Sequence, residues 1–101
     1  MRRRFASFAE FYPCYLAEHS NRANRRIHLA GQLAAVALLV TFAATLDWRL
    51  LAAAPVAGYG LSWFGHLAFE RNRPATFGHP VYSLLGDLVM CKDMLTGRVK
   101  L

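Results

Sequence analysis

Cysteine is scarce in this sequence: Cys14 and Cys91 stand alone, with neither a CxxC pair nor a CxxCH string. That argues against a disulfide framework, a cysteine zinc site and covalent haem attachment, and leaves each thiol as a small buried hydrophobe. Acidic side chains are also few, six against twelve lysines and arginines, for a net charge of +6. A basic excess can signal nucleic acid. Here the basic residues flank long uncharged runs and form no stripe along one element, so no nucleic-acid partner is expected. No repeat or low-complexity tract appears. The opening MRRRFASFAEFYP carries the positive charge of a secretory leader, yet Glu10 and Pro13 interrupt any apolar stretch, so no cleavage is expected.

What is plentiful is apolar surface. Hydrophobic residues make up 55% of the 101 and charged residues only 18%, which is apolar for so short a chain, and one domain spanning 1–101 must account for all of it. Leu29 to Leu46 is an uncharged run of 18 residues and Leu50 to Phe69 one of 20. Each approaches the ~20 residues that span a bilayer core. Only Asp47, Trp48 and Arg49 separate them, so the chain must turn sharply and return as a hairpin. A soluble bundle could bury such a pair, but a chain of this size cannot cover two apolar helices all round. The expected fold is therefore all-α, a membrane helical hairpin of two transmembrane helices with amphipathic interfacial helices on either side.

Lysine and arginine number six before the first run, one in the turn and five after the second. By the positive-inside rule both termini face the cytoplasm and the protein is integral to the membrane, with membrane lipid as its surroundings. Pro55, Gly58 and Gly60 suit a membrane helix, where small residues allow close approach. The sequence leaves a homo-oligomer open.

The flanking segments are amphipathic. Phe5, Phe8, Tyr12, Tyr15, Leu16 and His19 recur at helical spacing between Arg2 and about Asn21, with Pro13 marking a start or a kink. Asn24 is a candidate N-cap for the first long helix. ERNRPATFGHP reads as an ordered loop because of its two X-Pro pairs. From about Val81 to Leu95 the residues Leu84, Leu85, Leu88, Cys91 and Leu95 predict a third, short interfacial helix.

The hairpin brings the histidines together. If the turn is centred near Trp48, residues whose numbers sum to about 96 lie at equal depth, because both helices rise ~1.5 Å per residue. His28 and His66 meet that condition at the cytoplasmic end. His19 ends the aromatic face of the first helix, and His79 lies in the loop after the second run. All four can meet in one layer and read as ligands of one metal, since imidazole is the commonest metal ligand. Any one of them alone is more simply a polar group at the headgroup level. Glu70, four residues after His66 and on the same face, could complete a histidine and carboxylate set for Fe(II), hold a ligand imidazole, or pair with Arg26, Arg71 or Arg73. Spacing does not separate iron from zinc.

At these residues the chain resembles a known family. FYPCYLAEHSNRANRRIHLAG (Phe11 to Gly31), GYGLSWFGHLAFERNRPATF (Gly58 to Phe77) and PVYSLLGDLVM are similar to the signature regions of the 2-hydroxy fatty acid dioxygenase family, small membrane proteins whose eukaryotic members are linked to phytosphingosine breakdown. The resemblance implies an Fe(II)-dependent enzyme that shortens a lipid-derived 2-hydroxy acid by one carbon. His19, His28 and His66 stand where the family has motif histidines, with Asn24, Glu70, Arg73 and Pro74 at other motif positions and His79 a looser match. On this reading Glu70 and Arg73 are catalytic candidates, and Asn24, Arg25, Arg26 and Arg71 are substrate-binding candidates, the arginines by charge-assisted bonds to the carboxylate. Two other readings stand beside it: a b-type haem protein with His28 and His66 as axial ligands, and a non-enzymatic membrane adaptor whose basic loops bind anionic lipid.

Overall fold

The computed structural model describes residues 5–74 and 77–101, and among them every regular element is helical. The start of the predicted first helix at Arg2 lies outside the described residues. Helix α1 (Phe8–Ala17) begins at a capping box: Ser7 accepts from the Glu10 amide at 3.4 Å while the Glu10 carboxylate accepts from the Ala6 amide at 3.1 Å. It therefore starts well before Pro13 and runs through it. Helix α2 (Arg22–Thr45) is capped by Asn21, whose side chain accepts from the amides of Ala23 and Asn24. Asn24, the expected cap, sits inside the helix and is buried. One asparagine caps because the other faces the core.

Leu46 then adopts the left-handed conformation, and Asp47 caps helix α3 (Trp48–Gly65) while pairing with Arg49 at 2.9 Å. This is the sharp turn that only three residues between two apolar runs require. Against each other, α2 and α3 pack where Gly31 meets Gly58: a Cβ on Gly31 would stand 3.3 Å from the Gly58 carbonyl oxygen. Gly60 plays no such part, for a Cβ there meets nothing. The hairpin is present, but among the described residues only α2 is long and apolar enough to cross a bilayer, with a mean hydropathy of 1.9. The second expected span falls short because Arg49, Tyr59, Ser62 and the glycines dilute α3, and because the helix changes pitch at His66, where one π turn (His66–Glu70) follows.

Helix α4 (Pro80–Thr96) starts on a proline at its first turn and stops at Gly97, in the left-handed conformation. Its leucine face points outward and its small and polar face inward. Leu84, Leu85, Leu88 and Leu95 are exposed, whereas Ser83, Gly86, Asp87, Met90 and Met94 face inward. The reason is the partner. Helix α4 packs on the aromatic face of α1, where a Cβ on Gly86 would already press on the Tyr15 and Phe11 rings. Phe11, Tyr15, Met90 and Met94 form the buried core of this contact, and Tyr12 donates to Asp93 at 2.7 Å. Both flanking helices thus pack at the open end of the hairpin, opposite the Asp47 turn. The clasp is extended by Arg22, Arg25 and Arg26, which donate to the carbonyls of Lys100 and Leu101. Among the described residues there is no disulfide.

Candidate metal centre

Three separate elements deliver one histidine each to the same point. His19 follows the C-terminus of α1, His28 lies on the second turn of α2, and His66 is the first residue of the π turn. Their ring centroids are 4.6, 4.4 and 5.0 Å apart, and one ring nitrogen from each lies within 4.8 Å of the other two. All three are buried, His19 completely.

The outer partners decide which nitrogen points inward. His19 Nδ1 is 2.6 Å from the Tyr15 carbonyl oxygen, which can only accept, so Nδ1 carries the proton. His28 Nδ1 donates to Asp87 Oδ1 at 2.9 Å, and the other Asp87 oxygen accepts from the Gln32 amide at 2.5 Å. His66 Nδ1 meets Asn72 Oδ1 at 2.6 Å. The Asn72 amide nitrogen donates to the Glu18 carbonyl, which fixes the amide's orientation and makes its oxygen the acceptor for His66. That contact depends on the left-handed Arg71, which folds Asn72 back until its amide reaches the His66 carbonyl. Each ring is therefore protonated at Nδ1 and offers a bare Nε2 lone pair.

Converging lone pairs inside a protein repel one another and need a cation or a donor. Nε2 of His19 and of His28 are buried and have no hydrogen-bond partner. Burial, followed by the neighbouring His28 ring, lowers the His19 pKa to about 2, so this ring remains neutral and able to ligate. Neutral imidazoles each oriented through Nδ1 by a carbonyl, a carboxylate or an amide are the arrangement that metal-binding histidines use. The donor set fits a divalent first-row metal on one face, with further positions open to small ligands. It does not fit haem: with His19 packed edge-on against both His28 and His66, no slot is left between those two rings for a macrocycle.

The fourth histidine lies elsewhere. His79 packs against the Phe5 and Phe11 rings at 5.1 and 5.6 Å and is not among the three that converge. Glu70 also turns away from the centre. Its carboxylate accepts from the Asn21 amide at 2.6 Å and from the Asn24 side chain at 3.4 Å, tying the α1–α2 corner to the end of the π turn. No ion pair involves it among the described residues. Asn24 itself presses its side-chain oxygen against Gly65, where any Cβ would collide with it.

A cavity of about 590 Å³ opens from the centre, with His28 and His66 at one end and Asp87, Tyr15, Gln32 and Ser62 close by. None of the four arginines assigned to a substrate carboxylate lines it. Arg25 reaches the carbonyls of His19, Ser20 and Lys100, and Arg26 that of Leu101. Arg71 is exposed, and Arg73 stands over the Phe77 ring at 5.6 Å. Sequence reasoning passed over Asp87, Asn72, Gln32 and Tyr15 as parts of the site. The signals were an aspartate within the apolar GDLVM, a glutamine one turn after His28, and a tyrosine one turn before His19.

A helical hairpin clasped at its open end around three tautomer-fixed histidines defines a small α-protein with a candidate metal site. Residues 5–99 match the family described as 2-hydroxy-palmitic acid dioxygenase Mpo1-like, and the chain belongs to that family. No curated protein and no solved structure matches it.

Proposed function

We propose that the protein is an Fe(II)-dependent membrane dioxygenase that removes one carbon from 2-hydroxy fatty acids. The observation that carries this reading is the convergence of the His19, His28 and His66 Nε2 atoms at the head of an apolar cavity, in a chain of a dioxygenase family. Iron bound there would supply O2 activation and an electrophilic anchor for the substrate's carboxylate and hydroxyl. The reaction balances without an outside reductant: 2-hydroxy acid and O2 give the acid one carbon shorter, CO2 and water, and the four electrons lost by the substrate are those O2 accepts.

The chain's own residues have distinct tasks. The three histidines occupy one face and leave the cavity side open. Asp87, Asn72 and the Tyr15 carbonyl hold the rings at fixed angles. Among the described residues no arginine lines the cavity, so the substrate's carboxylate would find its charge compensation at a metal held by the three histidines, and neutral groups such as Ser62 and Gln32 orient its remaining oxygens. Tyr15 stacks on His19 at 4.0 Å, and burial together with the Asp87 carboxylate raises its phenol pKa, so it serves only as a proton donor. Glu70 and Arg73 act from outside, the first by holding the α1–α2 corner and the second at the Phe77 ring beside Trp63. The hairpin lies in the bilayer, supported by α2 and by the exposed apolar side chains of both helices, with both termini on the cytoplasmic side.

The test is mass spectrometry of the product formed from a long-chain 2-hydroxy acid by protein loaded with Fe(II) in the presence of O2. An acid one carbon shorter, absent for His28→Ala and His66→Ala, is the expected result. Metal-loaded protein that leaves a panel of such acids unchanged is not this enzyme, and the adaptor reading then takes its place.

A further inference from the structure

The cavity does not end at the histidines. It runs between α2 and α3 toward the Asp47 turn, lined on α2 by Gln32, Ala35 and Leu39 at successive turns and on α3 by Ser62, Gly58 and Leu51. Helical rise places Leu39 about 16 Å beyond His28 along the axis. Polarity changes along this path. The histidine end holds Asp87, Gln32 and Ser62, and beyond Ala35 the lining is aliphatic apart from Tyr59. At the middle the walls are small: Ala54 is 2% exposed, and a Cβ on Gly58 would meet the Ala35 Cβ at 3.7 Å. Larger side chains there would close the channel. Val36 and Leu39 are 51% and 44% exposed, and Leu84 and Leu88 on the α4 side 44% and 46%, so the channel is a groove open along its side.

A groove with three converging histidines and polar groups at one end and an apolar lining along its length fits a single acyl chain with a chelating head. We infer that the α2–α3 channel takes the substrate's own acyl chain, head at the histidines and tail toward the hairpin turn, and that Val36 and Leu39 set the length beyond which binding stops improving. This rests on the reading of the site as a 2-hydroxy acid oxygenase. Each methylene that reaches the lining adds van der Waals contacts there, a gain smaller than that of transfer from water because the bilayer already shelters the chain. Methylenes beyond Leu39 leave the channel and add little, so affinity climbs with chain length and then levels off. Were the channel instead filled by the tail of a bilayer lipid, quenching of Trp63 would not depend on where along the acid the bromine sits.

The experiment separates binding from turnover. Trp63 lines the channel near its head, and Trp48, at the turn, is replaced by phenylalanine so that Trp63 is the sole fluorophore. Iron-loaded protein in nanodiscs, kept without O2, is titrated with 2-hydroxy acids carrying bromine, a quencher, at successive positions. Bromine near the carboxylate should quench Trp63 several times more than bromine near the tail. Val36→Trp and Leu39→Trp, both at exposed positions that tolerate bulk, are assayed separately with O2. Each should lower the ratio of turnover on 2-hydroxyhexadecanoate to that on 2-hydroxyoctanoate by about tenfold, Val36→Trp more than Leu39→Trp because it lies nearer the histidines. Quenching independent of bromine position, or length profiles unchanged in both variants, overturns the inference. A quenching gradient in protein that releases no shortened acid upholds the channel and overturns the oxygenase reading alone.

Discussion

Asp87 Oδ1 lies 2.9 Å from His28 Nδ1, joining the last helix to the first turns of α2 across 59 positions of sequence. The contact does two things at once. It docks α4 on the hairpin and it fixes the His28 proton on Nδ1, leaving Nε2 for the metal. Asp87→Ala should weaken metal binding by about 10- to 100-fold, and Asp87→Asn, which keeps an oxygen acceptor, should recover part of that loss. Anaerobic Fe(II) titration reads both. Equal affinity in wild type and Asp87→Ala would show that the carboxylate only packs.

The four histidines should divide three to one. Alanine at His19, His28 or His66 should each remove most of the bound iron. His79→Ala should keep it, losing only its ring contacts with Phe5 and Phe11, about 1 kcal/mol of stability. Metal analysis together with thermal unfolding checks this, and iron loss in His79→Ala would be the contrary result.

Two glycines of α3 should respond in opposite ways to a single methyl group. At Gly65 a Cβ collides with the buried Asn24 side chain, beside His66 and one turn from His28, so Gly65→Ala should cost about 1–3 kcal/mol and disturb metal binding. At Gly60 the added methyl meets nothing, and Gly60→Ala should be neutral or stabilising by up to about 1 kcal/mol. Unfolding midpoints of the two variants in one detergent give the comparison.

Stability of the metal-free protein should fall in mild acid. His19 titrates near 6.5 when unfolded, and burial lowers its pKa to about 2 in the fold. Between those values the unfolded chain holds a proton that the folded chain lacks. The stabilisation is therefore complete above pH 6.5 and is lost as pH falls from there, by at most about 1.4 kcal/mol per unit from this group. Denaturant midpoints at pH 7.5 and 5.5 measure the slope, and His19→Gln should flatten it. A slope unaffected by that substitution would place the titration on another group.

The hairpin was legible in the sequence because hydrophobic runs and the turn between them are local features. The convergence of His19, His28 and His66 followed from it, since equal depth on two antiparallel helices is arithmetic on their rise. Partners far along the chain left no local signal. Four leucines on α4 announce an interfacial helix, but not that the Phe11 and Tyr15 rings select its opposite face, the small and polar one that holds Gly86 and Asp87. Arginines near the histidines were assigned to a carboxylate, yet carbonyls at the other end of the chain hold Arg25 and Arg26. Likewise, a π turn and one left-handed arginine place Asn72 against His66, a contact no periodicity announces. The sequence by itself determined the elements and the residues able to ligate, for those depend on neighbours within a few turns. Which nitrogen each histidine presents and where the cavity runs were decided only by tertiary structure, because both depend on hydrogen-bond partners and walls contributed by helices distant in the chain.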